Sequence, residues 1–518
     1  MKADGPAGTG STSSAAAYDG APRRSTPTTA SISVGMRRPA GPLGPASEHA
    51  RCQPEAAAGP FGTVGDMTVF DLAVRGGTVV TARGRARLDV YAAGGRIAAL
   101  RAAGAPGLDA RQVVDASGHY VLPGMVDSHV HLMDPGDAAR EDFPTGSGAA
   151  ALQGVTTIVE HTHGWPVTTV ERLREKVAHL EGRSYVDYGL AAHLWPEHLD
   201  QLAPLWAAGV TFFKIFTCDT HGIPALGADL LLDAFDGLAA VDGTCLVHCE
   251  DNAITAAAEA RLRAAGRTDG WIVPEWRSRA AEEVAVTTVA LLARLAGARV
   301  TVAHASTPDV LDAVADQAKR GAPVAAETCP QYLLLREEEV ANLGPFRKFT
   351  PPARIRSDDE ADRMWAAFNT GMVHHLSTDH APASRDHKAA HSIWDAHFGL
   401  PGLDSTTPLM IDAALRGRTS LERVVTAYAT APARRYRLAG KGDVAEGRAA
   451  DLAVVDPDVT WTLDDATVHS KAGWTPYAGR QVRGRVVATV LGGRLVAQDG
   501  QLLDGERSGR FLAGPGAR

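Results

Sequence analysis

Between about residue 121 and residue 438, short apolar runs alternate with longer amphipathic stretches. Eight such runs can be counted: Tyr120–Leu132, Val155–His161, Tyr188–His193, Val210–Phe216, Cys245–His248, Val300–His304, Val324–Thr328 and Val373–Ser377. Helical candidates lie between them, among them Val170–Glu181, Ala228–Val241, Glu282–Ala296 and Val310–Arg320. Strand and helix in regular alternation is the signature of a parallel sheet. Eight units of that kind close naturally into a (β/α)8 TIM barrel, so the expected fold class is α/β. The repetition is architectural, because no strong sequence repeat accompanies it.

The two ends of the chain have a different texture. From Met67 onward, short β-type runs alternate with glycine: Leu72–Val74, Thr78–Thr81, Leu88–Tyr91, Arg96–Leu100 and Gln112–Asp115. These predict a small antiparallel sheet over residues 67–120. Residues 439–518 repeat the texture in Asp451–Asp456, Val486–Leu491 and Arg494–Gln498. Two half-sheets from opposite ends can pair into one β-sandwich beside a barrel at 121–438. Residues 1–66 are rich in Ala, Gly, Pro, Ser and Thr, show no apolar period and read as a disordered tail. They carry Arg23, Arg24, Arg37 and Arg38 but no apolar core of a secretory signal. A start codon placed too far upstream, with Met67 as the true start, is the alternative reading.

The net charge of −8 and the lack of a basic stripe argue against nucleic acid as a partner. No run of 18 apolar residues predicts a membrane span. The 5 cysteines (Cys52, Cys218, Cys245, Cys249, Cys329) form no paired framework, which points to a reducing, cytoplasmic setting.

Polar residues of the metal-binding type sit at the C-terminal ends of the expected strands, where barrel enzymes place their chemistry. The first run ends in Asp127-Ser128-His129-Val130-His131. Residues i and i+2 of a strand share a face, so His129 and His131 point together and can chelate one ion. Lys214 lies inside the apolar run Val210–Phe216. A bare ammonium is costly to bury, so it needs a partner or a chemical change. Reaction with CO₂ would turn the amine into an anionic carbamate, N6-carboxylysine, with two oxygens able to bridge two metals. The fifth run ends at His248, the sixth at His304, and Asp379 follows the eighth. Taken singly, each has a plain structural reading: a core histidine, a lysine stem snorkelling to water, a helix cap. Their joint placement at strands one, four, five, six and eight predicts a site for two divalent metal ions with room for water and substrate.

At these residues the chain resembles the amidohydrolase superfamily, in its cyclic amidohydrolase branch of allantoinases, hydantoinases (dihydropyrimidinases) and dihydroorotases. The resemblance runs from about Val69 to Leu512. It is carried by Pro123-Gly124-Met125-Val126-Asp127-Ser128-His129-Val130-His131, Gly154-Val155-Thr156-Thr157, Phe213-Lys214 and Val247-His248-Cys249-Glu250. Glu327-Thr328-Cys329-Pro330-Gln331-Tyr332, Ser377-Thr378-Asp379-His380-Ala381-Pro382 and Ser470-Lys471-Ala472-Gly473-Trp474-Thr475-Pro476-Tyr477 extend it. The resemblance implies that His129, His131 and Asp379 hold the more buried ion, that His248 and His304 hold the other, and that carbamylated Lys214 bridges them. It implies Zn²⁺ as the commonest metal, Asp379 as the catalytic proton carrier, and a small cyclic amide as substrate. Homo-oligomers, tetramer or dimer, are common among similar enzymes.

Dihydroorotases of this type usually place an Arg where Met133 stands here, and an Asn after strand two where this chain has Glu160-His161-Thr162-His163. D-type hydantoinases usually carry a Tyr where Asp219 stands. The expectation is therefore an allantoinase- or hydantoinase-like activity on a five-membered ring, with dihydroorotase as the alternative. His163 and the backbone near Thr328 and Cys329 are candidate substrate contacts. His161 is assigned no metal, because the other ligands complete two sites. A non-catalytic interaction protein related to dihydropyrimidinase is the alternative of another class. Retention of all six ligand positions speaks against it.

Overall fold

A computed structural model describes residues 69–389, 392–503 and 507–517. The expected tail at 1–66, Met67, Cys52 and His391 lie outside the described residues.

Eight parallel strands form the barrel. They are Met125–Val130, Val155–Glu160, Asp187–Leu190 continued by Ala192–His193, Phe213–Phe216, Thr244–His248, Arg299–Val302, Val324–Thr328 and Val373–Leu376. Neighbours pair in order, for example Thr157 with Asp187, Ala192 with Phe213, Cys245 with Val300 and Val300 with Val324. A parallel bridge from Val130 to His380 joins the first strand to the end of the eighth and closes the ring. The strands read as unbroken apolar runs because helices cover one face and the packed barrel interior the other. The first, second, fourth and fifth are buried along their whole length.

The helices outside follow their apolar spacing. Arg279–Ala296 starts on Ser278, whose side chain accepts from the Ala281 amide, and turns Ala281, Ala285, Val289 and Ala293 inward. It stops at Gly297, whose φ of 71° is open to glycine at little cost. Pro308–Lys319 starts on Thr307 with proline in its first turn, where a missing N–H loses nothing. The observed helix limits lie within three residues of those expected.

One expected strand divides. Tyr120–Leu132 reads as continuous, yet Tyr120–Pro123 pairs antiparallel with Leu452–Val455 and only Met125–Val130 enters the barrel. The chain crosses between the two sheets at Gly124. Its N–H donates to Asp451 O at 2.8 Å, and a Cβ there would meet Thr156 Oγ1 at 2.1 Å. Periodicity could not show this, because both segments are buried and apolar.

The smaller sheet has 10 strands drawn from both chain ends. Its N-terminal part is mixed, not purely antiparallel as expected: Phe70–Arg75 runs parallel to Ala110–Asp115, and Thr78–Thr81 parallel to Tyr120–Pro123. Leu72, Val74, Val90 and Val121 from one end pack with Leu452, Val454, Val490 and Leu495 from the other in a single core. Residues beyond 507 return to the barrel wall, where Leu512 N donates to Tyr188 O and Gly514 N to Gly209 O, each at 2.7 Å.

Candidate metal centre

The C-terminal ends of the barrel strands surround a cavity of about 370 Å³. Its floor carries His129, His131, Lys214, His248, His304 and Asp379.

His129 and His131 leave the first strand on one face, and both are buried. His129 Nδ1 donates to Glu327 Oε1 at 2.7 Å, and His131 Nδ1 donates to the His161 carbonyl at 2.6 Å. Each partner sets the tautomer, so that both Nε2 lone pairs turn toward the cavity. Asp127 anchors the strand itself. Its Oδ1 accepts from the amides of His129 and Thr378, and its Oδ2 from Tyr428 Oη at 2.8 Å.

The two Nε2 atoms converge on one carboxylate. Asp379 Oδ1 lies 3.1 Å from His129 Nε2 and 3.3 Å from His131 Nε2. Lys214 Nζ stands 3.3 Å from His129 Nε2. Burial pushes Lys214 down to about 8, against the pull of Asp379 and Glu327. Burial pushes Asp379 up, but the imidazoles of His129, His131 and His304 outweigh it and hold the carboxylate well below its usual range.

A second convergence lies beside the first. His248 Nε2 donates to Glu250 Oε2 at 2.7 Å, which leaves its Nδ1 lone pair 3.0 Å from His304 Nε2. Burial raises Glu250, but Arg277, at 3.2 Å, and His248 bring it down to about 2, so it acts as a fixed anion. Glu327 is likewise held low by His129 and His375, burial notwithstanding. His304 and Asp379 adopt left-handed backbone, with φ of 37° and 50°. Such strain in residues other than glycine gathers where a side chain must be aimed against local preference.

The donor set fits divalent ions. Atoms about 2.0–2.1 Å from one ion lie about 2.9–3.4 Å from each other at octahedral or tetrahedral angles. The separations of 3.0, 3.1 and 3.3 Å fall in that range. His248 Nδ1 and His304 Nε2 are also poorly served by protein alone, since two lone pairs at 3.0 Å repel unless a proton or a cation lies between them. His129, His304 and Asp379 form one group of ligand-type atoms within 4.8 Å of one another, and His129, His131 and His161 form another.

Of the expected substrate contacts, His163 lines the cavity, with its Nε2 lacking a protein partner. Thr328 and Cys329 are buried behind the wall. Thr328 Oγ1 donates to Ala305 O at 2.8 Å, and Cys329 Sγ lies 3.6 Å from Ser377 Oγ. Burial lifts the Cys329 thiol well above its usual range, which suits a structural cysteine. The roof comes from the segment around Trp394–Phe398, part of the stretch that resembles the active-site loop of allantoinases and L-type hydantoinases. Lys348 Nζ holds it by donating to the carbonyls of Ile393, Trp394 and Ala396 at 2.6, 3.1 and 2.6 Å. Glu250 and Glu327 were also missed as orienting groups, although both stand in the motifs quoted above. The signal was a carboxylate closing an apolar strand.

Comparison with known proteins agrees with this architecture. The Amidohydrolase family model matches residues 120–496. The chain is 37% identical over 456 residues to an allantoinase of Rubrobacter xylanophilus, covering 86% of this chain and 98% of that one. It is 37% identical over 407 residues to a dihydroorotase of Halobacterium salinarum, covering 77% and 91%. Among solved structures, an L-hydantoinase (dihydropyrimidinase) from Arthrobacter aurescens superposes with a TM-score of 0.82 at 30% identity, covering 86% of this chain and 100% of the other.

Proposed function

Because this chain belongs to the amidohydrolase family, we propose that it hydrolyses the C–N bond of a cyclic amide or ureide at a paired metal centre. The observation that carries the reading is the double convergence on the cavity floor, with ligand-type atoms 3.0–3.3 Å apart in two adjoining groups and Lys214 beside them. His129, His131 and Asp379 would hold the deeper ion, His248 and His304 the other, and Lys214 as its carbamate both. Zn²⁺ suits this mixture of imidazole and carboxylate. The chemistry supplied by two such ions is Lewis acidity, which activates water near neutral pH and polarises the scissile carbonyl.

The chain's own residues do the rest. Lys214 lies in a fully buried strand and burial lowers its pKa to about 8, which favours the neutral amine that reacts with CO₂ far more than a free lysine would. Asp379 lines the cavity with Oδ1 against the two imidazoles. Held ionised, it can take a proton from the attacking water and pass it to the leaving ring nitrogen, which departs only when protonated. His163 is the side chain we assign to the substrate, while Thr328 and Cys329 place the backbone at the end of the seventh strand.

Met133 lines the cavity and presents no charge, which favours a ring without a carboxylate, such as allantoin or a hydantoin, over dihydroorotate. One observation favours dihydroorotate instead. Arg140 also lines the cavity, its Nε on Pro382 O at 3.0 Å, with no carboxylate in ion-pairing range among the described residues. Hydrolysis of a panel by protein loaded with Zn²⁺ and bicarbonate decides: allantoin, hydantoin, 5-substituted hydantoins, dihydrouracil and dihydroorotate. Ring opening of allantoin or a hydantoin upholds the proposal. Turnover of dihydroorotate alone replaces the ring assignment, and no turnover by a metal-loaded protein overturns it. We extend the reading to a cytoplasmic homo-oligomer. Four buried free thiols among the described residues and the exposed Val284, Leu291 and Leu295 on one helix support it, and light scattering measures the assembly.

A further inference from the structure

His161 follows the second barrel strand, one residue beyond Glu160. Its amide donates to Val130 O at 3.1 Å, which brings it alongside the His129–His131 pair. Its ring centroid lies 4.7 Å from that of His129 and 4.5 Å from that of His131, the latter edge-on at 85°. One nitrogen from each of the three rings lies within 4.8 Å of the other two. His161 is 1% exposed, and neither of its ring nitrogens has a protein partner.

An imidazole buried with both nitrogens unmet loses the hydrogen bonds that water would give it and gains none in return. His193 is the neighbour on the other side, at 6.2 Å between centroids, and its own ring nitrogens are also unpartnered. A water shared by the two rings would satisfy one nitrogen of His161. The other faces a pair of imidazoles whose Nδ1 atoms are already engaged, by Glu327 and by the carbonyl of His161 itself. Three imidazoles gathered within this distance could close, by small ring rotations, on a divalent transition ion that needs neither a carboxylate nor a carbamate.

We propose that His161 is a third imidazole ligand of the deeper ion, so that His129, His131 and His161 retain one divalent metal ion when Lys214 cannot be carbamylated. The inference rests on the paired metal centre proposed above. It gives the site an order of filling: the tri-histidine position is occupied first, and the carbamate then completes the second.

Metal content of the full chain tests this, without reference to turnover. Wild type, Lys214→Ala, His161→Met and the Lys214→Ala/His161→Met double variant are loaded with Zn²⁺, desalted, and measured by elemental analysis and chelator competition. Lys214→Ala is expected to keep about one ion per chain and the double variant none, with His161→Met alone losing its last ion at least about tenfold more readily to chelator. Equal retention by Lys214→Ala and the double variant, or none in Lys214→Ala, overturns the inference and leaves the paired site standing. A wild type that binds no metal overturns both. Thermal unfolding of the metal-free proteins checks folding, and His161→Gln, which keeps a polar group, replaces the Met variant should that one fail to fold.

Discussion

The two duties proposed for Asp379 can be separated by substitution. Its Oδ1 faces both imidazoles of the first strand, while the proposed acid–base role depends on charge. Asp379→Asn is expected to keep metal and lose at least about tenfold in kcat, about 1.4 kcal/mol of barrier; elemental analysis beside steady-state kinetics reads both. Glu327 touches no cavity space but orients His129 at 2.7 Å. Glu327→Gln is expected to weaken metal retention by about 10–100-fold, measured by chelator titration. The contrast shows what single residues disclose. His129, His131, Lys214, His248, His304 and Asp379 could be read from the chain because their types are expensive in apolar strand ends. Glu250 and Glu327 could be read as positions but not as roles, because which imidazole a carboxylate orients depends on strands far apart in the chain.

At the level of elements, the eighth strand carries a pH-sensitive group away from the chemistry. Burial, with His375 and two arginines, pushes His374 down to about 3. Its folded pKa lies below the unfolded value of about 6.5, so the unfolded chain binds the proton more readily between those limits. Its contribution to stability is therefore intact above about pH 6.5 and declines as pH falls toward 3, by up to about 1.4 kcal/mol per pH unit. His374→Gln should flatten the loss of stability between pH 6.5 and pH 5, as followed by denaturant unfolding at each pH. The strands were legible because parallel strands buried on two faces stay apolar throughout. That same uniformity concealed the break at Gly124, where the chain passes from sheet to barrel without a change in hydrophobicity.

Across the whole molecule, the barrel and the smaller sheet are joined by a buried lysine. Lys441 Nζ lies 2.6 Å from Asp187 on the third barrel strand and 2.6 Å from Asp451 beside the C-terminal strand Leu452–Thr462. Lys441→Met would leave two buried carboxylates facing each other, and breaking such a pair costs about 3–5 kcal/mol. Denaturant unfolding of the metal-free protein should show that loss. The chain alone determined the class of fold and the six ligand-type side chains, because those depend on local periodicity and on residues too costly to bury without purpose, and its motifs carried the resemblance that implied the kind of reaction. Tertiary structure decided the rest: the orienting carboxylates, the lysine-held roof, the parallel pairings within the sheet, and the placement of His161 against the His129–His131 pair. Each of these is a relation between segments distant in sequence, and the free energy of such a relation exists only once the segments touch.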